Sequence, residues 1–159
     1  MDQGNVERSG RDPATVARGI IDANRYMTLA TADGDGRPWA SPVWYAHQGH
    51  TDLYWVSRPE ARHSRNLAVR PEVGIVIFDS TVPEGEGQAV YVEALAGELD
   101  GADRDGGIAV VSRRSEALGA ARWGVADVSG PAPLRLYRAR ASAHFVLDGH
   151  DQRLAVRLG

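Results

Sequence analysis

The side chains able to do chemistry are few, and their spacing excludes more than it assigns. The chain of 159 residues has no cysteine, which rules out disulfides, thiolate metal sites and a cysteine nucleophile. Any redox chemistry therefore needs a borrowed cofactor. His47 and His50 flank a glycine turn, a spacing that can offer two imidazoles to one ion, but no neighbouring carboxylate pattern or cysteine completes a site. No metal is expected. Asp33-Gly34-Asp35-Gly36 opens like a calcium loop but lacks the later ligands and the bidentate glutamate, so it reads as a hairpin turn. Neither a Gly-x-Ser-x-Gly elbow nor a Gly-x-x-x-x-Gly-Lys phosphate loop is present, which leaves hydrolase and nucleotidase chemistry without their usual anchors. All eighteen positive charges are arginine. The guanidinium fork suits phosphate and carboxylate, and the same bias also follows from GC-rich coding.

The elements that must position such groups follow from patterning. Asp12-Pro13-Ala14-Thr15 reads as a helix start, with an acidic cap and a proline where no amide is needed, and Val16, Ile20 and Ile21 give that helix an apolar face. From Tyr26 the period changes to two, with Met27, Leu29 and Thr31 on one side. A second extended stretch runs from Trp39 to Tyr45, a polar turn spans His47 to Asp52, and Leu53 to Ser57 is a third strand. Residues between Pro59 and Arg70 are helical in composition. Val73 to Phe78 and Ala89 to Leu99 are long strands around a glycine-rich loop. Ile108, Val111, Ser115 and Leu118 mark another helix, and Leu134 to Tyr137 with Ala143 to Leu147 form one bent strand or two short ones.

Six strands joined by short connections demand antiparallel pairing, and closure into a barrel removes edges that an open sheet would have to protect. The expectation is a mainly β fold, a six-stranded antiparallel barrel with helices, in one domain over residues 12–159 behind a flexible N-terminus at 1–11. Hydrophobic residues at 43% and charged residues at 25% are ordinary for a globular chain, so a packed core is affordable. A net charge of −3 gives no general attraction to nucleic acid, and no apolar run suits a membrane span or secretory signal. The cytoplasm is the expected location.

The stretch from Tyr26 to Asp79 carries more specific information. It contains Asp-Gly-Asp-Gly-Arg-Pro, Ser41-Pro42-Val43-Trp44-Tyr45, Leu53-Tyr54-Trp55-Val56-Ser57, Arg62-His63, Asn66-Leu67 and Pro71-Glu72-Val73 in that order. In this order it resembles the pyridoxamine 5′-phosphate oxidase-like FMN-binding split barrels, with weaker likeness through Gln88 to Leu99 and on to Leu147. The resemblance implies a homodimer with cofactor sites at the subunit interface. It implies that Ser57, Arg62 and His63 hold the FMN phosphate, that Ser41, Val43 and Trp44 border the isoalloxazine with Trp55 and Val56 on the next strand, and that Gln88 reaches the flavin from the partner. A hydroxyl and a guanidinium can both donate to phosphate oxygens, and a nearby helix start adds free amides. The family often has lysine where this chain has His63, which makes phosphate affinity weaker or pH-dependent.

Plainer roles exist for the same residues. Arg62 and Arg65 can be solvated helix charges, Ser57 a strand-end hydroxyl and Gln88 an ordinary loop residue; Tyr54 and Trp55 alternate, so one of them belongs to the core. The resemblance implies an FMN-dependent oxidoreductase acting on a small molecule, with no assignable acid or base. Its alternatives are a reductase using a deazaflavin coenzyme in the same groove and a non-catalytic flavin or haem module. The Arg-x-His signature of true pyridoxamine phosphate oxidases is absent near Gln152 to Arg157, so vitamin B6 oxidation is not expected.

Overall fold

The computed structural model describes residues 10–159; of the N-terminal segment expected to be flexible, residues 1–9 lie outside that range. Helix α1 (Pro13–Ala23) starts where the sequence predicts, with the Asp12 carboxylate accepting from the Thr15 amide at 3.0 Å and its hydroxyl at 2.9 Å. Strands β1 (Tyr26–Ala32), β2 (Pro38–Trp44), β3 (Ala46–Gln48) and β4 (Asp52–Ser57) precede helix α2 (Arg62–Val69). Strands β5 (Glu72–Phe78) and β6 (Ala89–Glu98), helix α3 (Gly101–Ala117) and strands β7 (Arg135–Leu147) and β8 (Arg153–Val156) follow.

The strands pair antiparallel in the order β2-β1-β5-β6-β7-β4-β3, with β8 beside β7. β2 and β3 occupy opposite edges, yet Tyr45 alone separates them in the chain. The two edges must therefore lie side by side, and the sheet curls on itself into a split barrel. Tyr45 is fully buried at this seam. Its hydroxyl donates to the Ile21 carbonyl at 2.5 Å and its amide to the Arg25 carbonyl at 3.2 Å, tying the seam to α1 and the turn after it.

The period of two places Met27, Leu29, Val73, Ile75, Ile77, Val90 and Val92 inside the barrel with Leu53, Trp55, Tyr137 and Ala139. β4 is covered on its other face as well. There Tyr54 and Leu136 pack against Ile108 and Val111 of α3, as the helical spacing predicts, in a second apolar cluster. The mainly β split barrel is thus as expected, with eight strands among the described residues where the sequence pattern predicts six. The additional ones are β3, which overlaps the polar turn that the sequence predicts, and β8. The last long element is one strand of 13 residues, bent by a bulge opposite Glu93 and Ala94, where the Ser142 hydroxyl donates to the Glu93 carbonyl.

Candidate cofactor groove

A groove of about 570 Å³ opens between the β2–β4 wall, the C-terminal half of α3 and the chain that follows it. Of the residues expected at a cofactor, it gathers Val43, Trp44, Val56, Ser57 and His63. β2 brings Val43 and Trp44, the end of β4 brings Val56 and Ser57, and the first turn of α2 brings His63. The opposite wall is made by Val111 and Ser115 of α3 and Leu118 just after it, with Trp123 and Leu134. Trp123 is held because its amide donates to the Ser112 hydroxyl at 2.9 Å, while the Ser115 hydroxyl donates to the Ala121 carbonyl at 2.7 Å. The volume lies within the range of small-molecule and cofactor sites, and the walls are mainly apolar.

The polar end of the groove is the Ser57–His63 pair, with Ser57 Oγ 2.9 Å from His63 Nε2. His63 is buried, and burial holds its pKa below the ordinary imidazole value, so the ring is neutral near pH 7. The Ala61 side chain makes no capping bond to α2, and the first intrahelical bond runs from the Arg65 amide to the Ala61 carbonyl at 3.0 Å. The amides of the first turn are therefore available to an acceptor at this end. Arg25 adds a cation to the groove lining.

The remaining expected residues lie elsewhere. Trp55 points into the barrel, fully buried and stacked on Tyr137 with ring centroids 5.7 Å apart, because alternation along β4 turns it away from Val56's neighbours in the groove. The structure does not bring it to the cofactor wall. Ser41 is half-buried on β2 and pairs with Leu29, outside the groove lining. Arg62 is exposed and lies over the Trp39 ring at 4.4 Å, so it stands at the same helix start without entering the groove. Gln88 lines a separate depression beside α1, near Val16 and Arg11.

The α3 wall was only half legible. The spacing of Val111, Ser115 and Leu118 marks one face of a helix but cannot say which part meets a ligand, and nothing local marks Arg25, Trp123 or Leu134. The structure also corrects the reading of His47 and His50. A carboxylate does accompany them, contributed by Asp22 at the end of α1.

A family model described as pyridoxamine 5′-phosphate oxidase matches residues 15–146. The chain belongs to the pyridoxamine 5′-phosphate oxidase family. Comparison with curated proteins gives no match. Solved structures of similar fold include a heme binding protein from Mycobacterium smegmatis, at 22% identity and a TM-score of 0.72. That match covers 92% of this chain and 58% of the mycobacterial one, so the chain spans little more than half the length of that relative. The heme storage protein from Vibrio cholerae aligns at 22% identity and a TM-score of 0.69, over 87% of this chain and 97% of its own. An F420 reductase aligns at 18% identity and a TM-score of 0.55, over 91% of this chain and 98% of its own. At such identities the likeness is one of fold, so this pyridoxamine 5′-phosphate oxidase family member must be assigned its chemistry from its own groove. Among the described residues, no helix is long and apolar enough to cross a membrane.

Proposed function

We propose that the groove binds FMN and that the protein is an FMN-dependent oxidoreductase of a small molecule, working as a homodimer. The observation that carries this reading is a broad apolar slot ending in a hydroxyl–imidazole pair beside the free amides of α2. The donor set fits the cofactor at both ends. Trp44, Val56 and Leu118 offer flat or aliphatic walls to a ring system, while Ser57, the first amides of α2 and the charge of Arg62 suit a phosphate. His63 adds a neutral imidazole that can donate one hydrogen bond.

FMN supplies the electron and hydride transfer; the chain orients the ring and keeps water from it. No acid or base of the chain is assigned a catalytic role. Continuity of surfaces supports the dimer. Pairing places Pro42 beside Thr28, Val76 and Tyr91 in one row, and Trp44 beside Tyr26, so the groove's rim runs into an outward face of mainly apolar and small residues. A second copy on that face covers it and brings Gln88 to the partner's groove, where its amide can both donate and accept at the polar edge of the ring.

The visible absorption spectrum of the purified protein and a flavin fluorescence titration test the reading. Ser57→Ala should weaken FMN binding by about tenfold, the scale of one lost charge-assisted hydrogen bond, and Arg62→Ala by less, since it removes a cation beside the groove and no direct bond, with unchanged far-UV circular dichroism in both. Unchanged affinity in both variants would sink it. A second reading, haem binding, is favoured by one feature: His63 presents a neutral imidazole in the groove, the form that ligates iron. A haem spectrum abolished in His63→Ala would replace flavin with haem, and a deazaflavin spectrum would replace FMN with that coenzyme.

A further inference from the structure

Outside the groove, three side chains from separate parts of the chain converge on one point. Asp22 Oδ1 lies 2.8 Å from His47 Nε2 and 3.0 Å from His50 Nε2, and the donor atoms of all three lie within 4.8 Å of one another. Asp22 comes from the last turn of α1, His47 from β3 and His50 from the turn into β4. We propose that Asp22, His47 and His50 form a binding site for a divalent transition-metal ion, with zinc as the occupant best suited to two imidazoles and a carboxylate.

The donor separations support this assignment. Zinc bonds of about 2.0–2.1 Å place neighbouring ligand atoms roughly 3 Å apart, so the three groups already stand near the spacing an ion imposes. The backbone is arranged to keep them there. Gly49 and His50 both have φ of 62°, and the Thr51 amide donates to the Gln48 carbonyl at 3.3 Å, which closes the β3–β4 hairpin in two residues. The left-handed conformation is disfavoured at His50 and turns its ring against His47, with centroids 4.4 Å apart. Both Nε2 atoms then face the same carboxylate oxygen.

Outer contacts hold the ligand residues in place, as is usual around metal sites. His144 donates from Nε2 to the His50 carbonyl at 2.9 Å, and Arg114 donates to the carbonyls of Asp22 at 3.0 Å and Asn24 at 3.3 Å. The rings keep partial solvent contact and Asp22 is half exposed, so an ion can enter. Coordination through Nε2 of His47 moves that ring's proton to Nδ1 and gives up the long 3.3 Å bond that Nδ1 accepts from the His50 amide. No net proton is released by this tautomer change. Among the described residues, these three side chains are the donors, which leaves a tetrahedral ion one position for water.

The tag-free full chain is titrated with zinc chloride by calorimetry and with cobalt(II) by visible absorption. One zinc per chain is expected, with a low-coordinate cobalt spectrum that zinc displaces. Asp22→Asn and His50→Asn should each weaken zinc binding by more than about tenfold, and asparagine at position 50 tolerates the left-handed backbone. In the unmodified chain, the imidazole ¹⁵N resonances of His47 and His50 should move on zinc addition while those of His63 do not, a readout that needs no variant. Absence of zinc heat and of a cobalt spectrum, unchanged affinity in both variants, or shifts centred on other histidines would overturn the proposal and leave a hydrogen-bonded His–Asp–His cluster.

Discussion

His63 is the residue whose environment has the clearest measurable consequence. Its ordinary pKa is 6.5, and burial lowers it in the folded chain. The unfolded chain therefore takes up a proton on this ring at a higher pH than the folded one, so the ring's contribution to stability is full above about pH 6.5 and is lost as pH falls toward the lowered folded value. Urea unfolding at pH 8 and pH 5 should show a smaller pH-dependent loss in His63→Asn than in the parent chain. Equal losses would place the pH sensitivity elsewhere. Tyr45 is a second such position: burial pushes its hydroxyl well above the usual phenol range, so it remains a donor to the Ile21 carbonyl throughout. Tyr45→Phe should cost about 1–3 kcal/mol in denaturant unfolding, because the carbonyl it leaves is buried. At this scale the family resemblance pointed to Ser57 and His63, and the structure brings these two to one groove. The place of Trp55 and the partner of His47 and His50 were not legible, since the first depends on which face of β4 is inward and the second joins residues 25 positions apart.

Among the elements, α3 is the one whose seating shapes the groove. It approaches the sheet at Gly107, where a Cβ would stand 2.8 Å from Cε1 of Tyr54 and 2.9 Å from Cδ2 of Leu136. Gly107→Ala must therefore push the helix or the strands apart, at a cost of about 1–3 kcal/mol despite alanine's better helix propensity. Differential scanning fluorimetry should register a lower melting temperature, whereas Gly106→Ala, with open space around the added methyl, should not lower it. The regular elements were readable because their signals are local. The Asp12 cap, the alternation in β1 and the spacing in α3 each lie within a few residues. β3 has no strand signal of its own because Ala46–Gln48 is short and leads into polar residues; only its pairing with β4, at Leu53 and Tyr54 among others, makes it a strand. β8 is likewise defined by pairing, with Phe145 and Val146 of β7.

For the whole molecule, the test is assembly. The outward face carries Tyr26 at 60% exposure, Phe78 at 48% and Leu95 at 57%, large apolar side chains open to a partner. Sedimentation equilibrium at micromolar concentration should give twice the chain mass, and Val76→Glu, in the middle of that face, should shift the protein toward monomer and weaken FMN binding with it. A parent chain that sediments as a monomer would remove the shared site from the proposed function. The overall barrel was predictable because six alternating strands with short connections leave few topologies, while the groove needed the relative placement of β2, β4 and α3, which no local pattern encodes. The one-residue passage at Tyr45 has a further bearing on how this fold tolerates change in length. An insertion there would turn over every side chain of the short strand that follows, exchanging its inner and outer faces, and would break the bonds to Ile21 and Arg25. The exposed loop from Thr81 to Gly87 joins two strands that pair directly, so added residues lengthen it at a small entropic cost and leave the register of β5 and β6 unchanged. Variation in the length of this chain should therefore collect between β5 and β6 and be absent between β2 and β3.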